Sequence, residues 1–135
     1  MRAILRLMNA LDTNIILRYI WKDVPGQREK VIRLLDDESR TFYISDLVLS
    51  EIIFNLKNDH LHRITIVRIL NGLFQKKNII VNDFTKNTDL PYFAEHPALS
   101  FVDCYAAFEA SKKGWTPLLT FDRKLANQHP CAEMP

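Results

Sequence analysis

Apolar and polar positions fall along this chain in short blocks, some matching strands and some matching helices. Met8–Leu11 is an apolar stretch ending at Asp12, which predicts a buried strand running into a turn, and Ile15–Trp21 follows as a first helix. Pro25 opens a second helix, Gln27–Asp37, with Val31, Leu34 and Leu35 at helical spacing and charges on the other side. Phe42–Ile44 predicts a second strand, and Ser45 is the N-cap of a strongly apolar helix to Leu56. A further helix covers about His62–Gln75, with Ile66, Ile69, Leu70 and Leu73 on one face. Ile79–Val81 is a third strand. Residues 84–98 carry the weakest pattern, because Pro91 and Pro97 break any long helix. Ser100 caps a helix from Phe101 to Lys113, stopped by Gly114 in the left-handed conformation. Leu118–Phe121 is a fourth strand, Arg123–Asn127 a helical turn and Cys131–Glu133 a short last strand.

Strands that alternate with helices predict an α/β fold with a parallel sheet and helices on both faces. Ligands in such folds bind at the carboxyl ends of the strands. There is no internal repeat and no linker, so residues 1–135 are expected to form a single domain.

Composition narrows the class. With 47% hydrophobic and 25% charged residues, three glycines and six prolines, the chain is neither disordered nor low-complexity. No apolar run approaches the roughly 18–20 residues that span a bilayer. The N-terminal stretch begins like a signal peptide, but Arg6 and Asn9 interrupt it and no cleavage site follows, so a soluble, cytoplasmic protein is expected. Eighteen Lys and Arg against sixteen Asp and Glu give a formal charge of +2, too little to announce nucleic acid by bulk charge. Cys104 and Cys131 lack metal-type spacing and read as two buried thiols rather than a disulfide. His60, His62, His96 and His129 lack the spacing of a helical zinc site, and the 60–62 pair reads as a polar helix junction.

The acids divide by neighbourhood. Asp36, Asp37, Glu38, Asp59, Asp83 and Asp89 lie in polar stretches, where a charge is solvated. Asp12, Glu51, Asp103 and Asp122 are lone charges within apolar runs, and burying an unpaired carboxylate costs several kcal/mol, so each needs a partner. The neighbours of Glu51 at helical spacing, Leu47, Val48 and Phe54, are apolar, which predicts that its face looks inward. Asp12 and Asp122 end strands, and Asp103 sits in the first turn of its helix, near the positive end of the dipole. No basic residue is placed to neutralise all four, so converging acids would need a divalent cation. Hard oxygen ligands suit Mg²⁺ or Mn²⁺ rather than zinc, with Asn14 and Thr120 adding neutral oxygens or orienting the acids. Each acid also has a plainer reading: Asp12 as an N-cap, Asp103 as a first-turn helix acid, Asp122 as a turn initiator, Glu51 as a bridge to Arg18 or Arg63.

The segments LDTNIILRYI, ISDLVLSEIIFNL, SFVDCYAAFEASKKG and PLLTFDRKL resemble, in order and spacing, the motifs of PIN-domain ribonucleases, especially the VapC-type toxins of toxin–antitoxin pairs. The resemblance runs from about Met8 to Leu125. It implies a three-layer α/β/α sandwich with a central parallel sheet, an acidic pocket holding one or two Mg²⁺ or Mn²⁺ ions, and hydrolysis of RNA to products with 5′-phosphate ends. By matching motif, Asp12, Glu51, Asp103 and Asp122 take the acidic positions. Thr120 takes the hydroxyl position and Asn14 the polar position after the first acid. A homodimer silenced by a small antitoxin is implied as well. Residues 1–7 precede the usual start, where Met8 would serve as a first residue. The family often has a helix at Asp89–Pro97.

On this reading Asp12 and Asp103 bind metal, Glu51 and Asp122 complete the shell or orient water, and no side-chain nucleophile is needed. Arg123 and Lys124 are best placed to hold phosphates. Lys112 and Lys113 read as solvated charges, and Arg18 reaches either substrate or Glu51. Ile20, Trp21 and Phe54 either complete the core or serve dimer and antitoxin surfaces. A catalytically degenerate PIN scaffold, binding RNA or protein, is the rival outside enzymology. A haloacid dehalogenase-like phosphatase needs Asp-x-Asp where this chain has Asp12-Thr13-Asn14. A receiver-type domain needs paired acids at the first strand, which are missing.

Overall fold

The computed structural model describes residues 7–21 and 24–135. Thus the expected extension lies outside the described residues except for Leu7, which opens the first strand. The chain packs as two compact units, one built from the residues up to Leu61 with Arg68–Asn82, the other from His62–Val67 with Asp83–Pro135.

The first unit holds a parallel three-stranded sheet in the order β1-β2-β3: β1 is Leu7–Ala10, β2 Arg40–Tyr43 and β3 Ile79–Ile80. Register pairs Leu7 with Arg40, Ala10 with Tyr43, and Phe42 with Ile79. Helices α1 (Thr13–Ile20), α2 (Gln27–Leu35) and α3 (Asp46–Asn58) belong to the same unit, as does most of α4 (Arg63–Phe74). This is the α/β arrangement with parallel pairing that alternating strands and helices predict. Parallel neighbours cannot be joined by a tight turn, and the helices supply the crossovers.

Phe42, Ile16, Ile44, Ile52, Leu56 and Leu70 are all at most 1% exposed and anchor the core of this unit. The expectation that Met8–Leu11 is buried holds only at Leu11, since Met8, Asn9 and Ala10 are exposed. β1 is the end strand of its sheet, so apolar character alone does not bury it. Ser45 caps α3 as expected, its hydroxyl accepting from Val48 N–H at 3.2 Å. His60, at φ 63°, turns the chain between α3 and α4, the junction role expected of the 60–62 pair.

In the second unit, α5 (Leu90–Glu95), α6 (Phe101–Lys112), β4 (Leu118–Leu119), α7 (Arg123–Gln128) and β5 (Ala132–Glu133) follow in order, with β4 and β5 parallel. Residues 84–98 are helical for much of their length, where the prolines had predicted interruption. A π-helical turn, Thr85–Asp89, runs directly into α5, and Leu90 N–H reaches back to Thr85 O. Pro91 falls in the first turn of α5, where a missing N–H is tolerated, and the wider π turn precedes it. The same segment buries Asp89, at 1% exposure, so the solvated position read from its polar neighbours is overturned. At the end of α6 Gly114 has φ 73°, with Gly114 N–H on Ser111 O and Trp115 N–H on Ala110 O. That double bond pattern satisfies the last carbonyls and stops the helix as predicted.

Both cysteines are free thiols. Cys104 is buried and burial pushes its pKa up to about 12, so it stays protonated; Cys131 is half-buried rather than buried. Among the described residues no helix is long and apolar enough to cross a membrane.

Two polar side chains organise the second unit. Arg63 Nη1 donates to the carbonyls of Phe93, His96 and Leu99, and its guanidinium lies 4.3 Å from the Phe93 ring centroid. These carbonyls lie at the end of α5 and in the turn leading to α6, so one cation holds the whole reversal. Arg63→Ala is expected to lower stability by about 1.5–3 kcal/mol, as loss of hydrogen bonds to a charged group does. Thermal melting against Arg63→Lys, which keeps the charge but loses the planar fork, measures it.

His129 is 1% exposed and packs against Phe108 and Tyr92 at 4.4 and 4.7 Å between ring centroids. Its Nδ1 accepts from Cys131 N–H, which places the ring proton on Nε2. Burial, and then the neighbouring His96, hold its pKa below the ordinary 6.5. The unfolded chain therefore binds a proton where the folded ring stays neutral, so stability falls as pH drops through the window below 6.5 and levels off above it. Melting temperatures between pH 5 and 8 should show this slope, and His129→Gln should flatten it.

Candidate active site

Three of the four singled-out acids start helices. Asp12 is the N-cap of α1, its Oδ1 accepting from Thr13 N–H at 2.8 Å. Asp122 is the N-cap of α7, its Oδ1 accepting from Lys124 and Leu125 N–H at 3.0 and 3.3 Å. Asp103 forms a capping box on α6: its Oδ2 accepts from Ser100 N–H at 3.3 Å, while Ser100 Oγ accepts from Asp103 N–H at 3.1 Å. The plainer cap and first-turn readings are therefore met in full. They do not use up the side chains, because each bond set engages one carboxylate oxygen and leaves the other without a protein partner among the described residues.

Glu51 completes the set differently. It lies in the middle of α3, and its Oε2 accepts from the Thr13 hydroxyl at 2.7 Å. The bridge to an arginine is not formed: Arg63 spends its guanidinium on carbonyls, and Arg18 donates through Nε to Gln27 Oε1 at 2.8 Å. Among the described residues none of the four acids is in a salt bridge.

The inward face expected for Glu51 is overturned. α3 buries Leu49, Ile52, Ile53 and Leu56, while Leu47 and Phe54 are 72% and 65% exposed and Glu51 is exposed with them. The helix is apolar on nearly every side, so residue type could not choose the buried stripe. Asp12 and Asp122 are exposed too, and Asp103 is half-buried. Burial of unpaired charge is thus not what these residues have to withstand. For Asp12, Asp103 and Asp122 the apolar runs break at a helix start, which carries the acid out of the core, while Glu51 leaves it on the exposed face of α3.

The first unit holds Asp12 with Glu51, and the second holds Asp103 with Asp122. Within each unit, among the described residues, no three His, Cys, Asp or Glu side chains gather as a metal-holding group. The donors on offer are carboxylate oxygens, oriented by neutral N–H and O–H groups and uncompensated by cations among the described residues. That donor chemistry fits a hard divalent ion such as Mg²⁺ or Mn²⁺ and suits zinc poorly.

Thr120 accepts from Asp122 N–H at 3.0 Å and so fixes the turn that presents that acid. Asn14 is exposed on the first turn of α1. The residue missed by sequence reasoning is Thr13. It is 6% exposed, and its two donors serve Asp12 and Glu51. A hydroxyl directly after the first acid was the available signal, hidden because Thr in an apolar stretch reads as packing.

Arg123 and Lys124 are exposed, and neither side chain has an ion-pair partner among the described residues. Lys112 and Lys113 are exposed as expected, Lys112 over the Phe84 ring at 5.0 Å and Lys113 near Glu109 at 3.9 Å.

No curated protein matches the chain. Residues 10–128 match the PIN domain family, whose members are generally nucleases that use divalent metal ions. That span takes in both units and all four acids, and by it the chain belongs to the PIN domain family.

Proposed function

We propose that this chain is a metal-dependent endoribonuclease with Asp12, Glu51, Asp103 and Asp122 as its acids, and the toxin of a VapC-type toxin–antitoxin pair. The observation that carries the reading is the shared state of the four carboxylates. Each has one oxygen held by a neutral donor, each leaves the other oxygen without a protein partner, and none is neutralised by a cation among the described residues. A structural acid gains most from a cationic partner. Acids kept charged, oriented and uncompensated are suited to a metal ion.

Asp12 and Asp103 would hold the ion, with Glu51 and Asp122 completing the set or orienting water. When bound, Mg²⁺ or Mn²⁺ supplies Lewis acidity for phosphodiester hydrolysis and the positive charge an anionic substrate needs. Arg123 and Lys124 would contact phosphates beside Asp122, since phosphate contacts dominate affinity for nucleic acid. The exposed Leu47 and Phe54 support a protein partner surface on α3; Ile20 and Trp21 are half-buried and contribute less. A small antitoxin and a second copy of the chain are the partners proposed, and the cytoplasm the compartment.

RNA cleavage with Mn²⁺, with EDTA and with Glu51→Gln tests the activity. Gln keeps an oxygen to accept the Thr13 hydroxyl and removes the charge, so the variant should melt no lower than wild type in EDTA. Its cleavage should fall by roughly 10²–10⁴-fold, the usual worth of a positioned acid–base group. Cleavage that survives EDTA, or a Glu51→Gln variant that cuts normally, would refute the proposal. Failure to cut any RNA with any divalent ion would favour a binding scaffold.

The toxin role is tested by co-expression with the neighbouring open reading frame. A small protein that co-purifies and suppresses cleavage is expected; a chain that purifies alone and cuts without restraint argues for a free-standing nuclease.

A further inference from the structure

Thr13 is the first residue of α1, where a backbone N–H has no partner within the helix. That N–H goes to Asp12 Oδ1 at 2.8 Å, and the Thr13 hydroxyl goes to Glu51 Oε2 at 2.7 Å, across 38 residues of sequence. The side chain is 6% exposed, so its hydroxyl is held away from competing water, and as a β-branched residue it has a stiff χ1. One residue therefore fixes one oxygen on each of two acids and leaves Asp12 Oδ2 and Glu51 Oε1 without a protein partner among the described residues.

We infer that Thr13 is a positioning residue for the metal ion, acting through Glu51; the inference rests on the nuclease reading above. A glutamate carries three side-chain torsions, and on an exposed helix face it samples many directions. The hydroxyl selects one of them. It also supplies a donor to the charged form of the carboxylate without adding positive charge, which an arginine in the same place would do. The N–H bond to Asp12 belongs to the backbone and survives substitution, so the side-chain function can be tested by itself.

The test compares wild type, Thr13→Val and Thr13→Ser. Val matches the shape of Thr without the hydroxyl, and Ser restores the hydroxyl without the methyl. Mn²⁺ affinity is measured by calorimetry without RNA, cleavage is measured separately, and melting in EDTA reports folding. Thr13→Val should weaken Mn²⁺ binding by about 10–100-fold, the usual loss when a group orienting a metal ligand is removed. Thr13→Ser should recover most of it. In a Glu51→Gln background the Val substitution should cause little further loss, because the group it acts through no longer carries the charge. Wild-type Mn²⁺ affinity in Thr13→Val, or equal losses with Val and Ser, would overturn the inference and leave Thr13 as a packing residue. Should Thr13→Val not fold, Thr13→Ala and the same comparison with Ser decide it. A wild-type protein that binds no Mn²⁺ and cuts no RNA would overturn the nuclease reading together with the inference. Normal wild-type binding with an indifferent Thr13→Val overturns the inference alone.

Discussion

The start of a helix leaves backbone N–H groups without partners, and this chain satisfies several of them with acids. Asp12 caps α1 one residue beyond the end of β1, with Leu11 between, Asp122 caps α7 after Thr120 and Phe121 have followed β4, and Asp103 closes a capping box on α6. A parallel α/β chain must make such strand-to-helix turns repeatedly, since parallel neighbours need a crossover. On the proposed function, placing acids there lets one residue serve both the local fold and the chemistry. A capping bond uses one carboxylate oxygen and fixes the direction of the other.

Neutral donors have a second consequence. A backbone N–H or a threonine hydroxyl orients a carboxylate and leaves its negative charge uncompensated. An arginine or lysine would stabilise the acid more and at the same time remove the reason for a cation to bind. The cations near these segments are engaged elsewhere or stand apart: Arg63 on three carbonyls, Arg18 on Gln27, Arg123 and Lys124 out in solvent. The distribution suits the PIN domain family, where divalent ions and an anionic polymer must both be accommodated.

The interior of the second unit depends on polar groups more than its apolar sequence suggests. Arg63 ties the turn after α5, and His129 sits in a ring cluster with Tyr92, His96 and Phe108. The Tyr92 hydroxyl donates to Gln128 O, closing the end of α7 onto α5. Asp89 is buried through the π-helical turn. Each of these groups stands in a polar or proline-containing stretch, where pattern reasoning expects surface. Asp89 is buried from a helical turn, and His129 from an extended residue just past α7.

By itself the sequence determined the order of strands and helices outside residues 84–98, because hydrophobic period, Ser45, Ser100 and Gly114 are local signals acting over a few residues. It also marked the four acids, since a lone carboxylate in an apolar run is visible without coordinates. It could not settle which face of α3 is buried, because nearly every side of that helix is apolar and only packing against other elements selects Leu49, Ile52, Ile53 and Leu56. It could not show that Pro91 sits inside a helical segment, since a proline tolerated in the first turn of a helix and one that breaks a helix look alike in sequence. Nor could it join Thr13 to Glu51. A hydrogen bond across 38 residues exists only once α1 and α3 are folded side by side, and only the tertiary structure decided that.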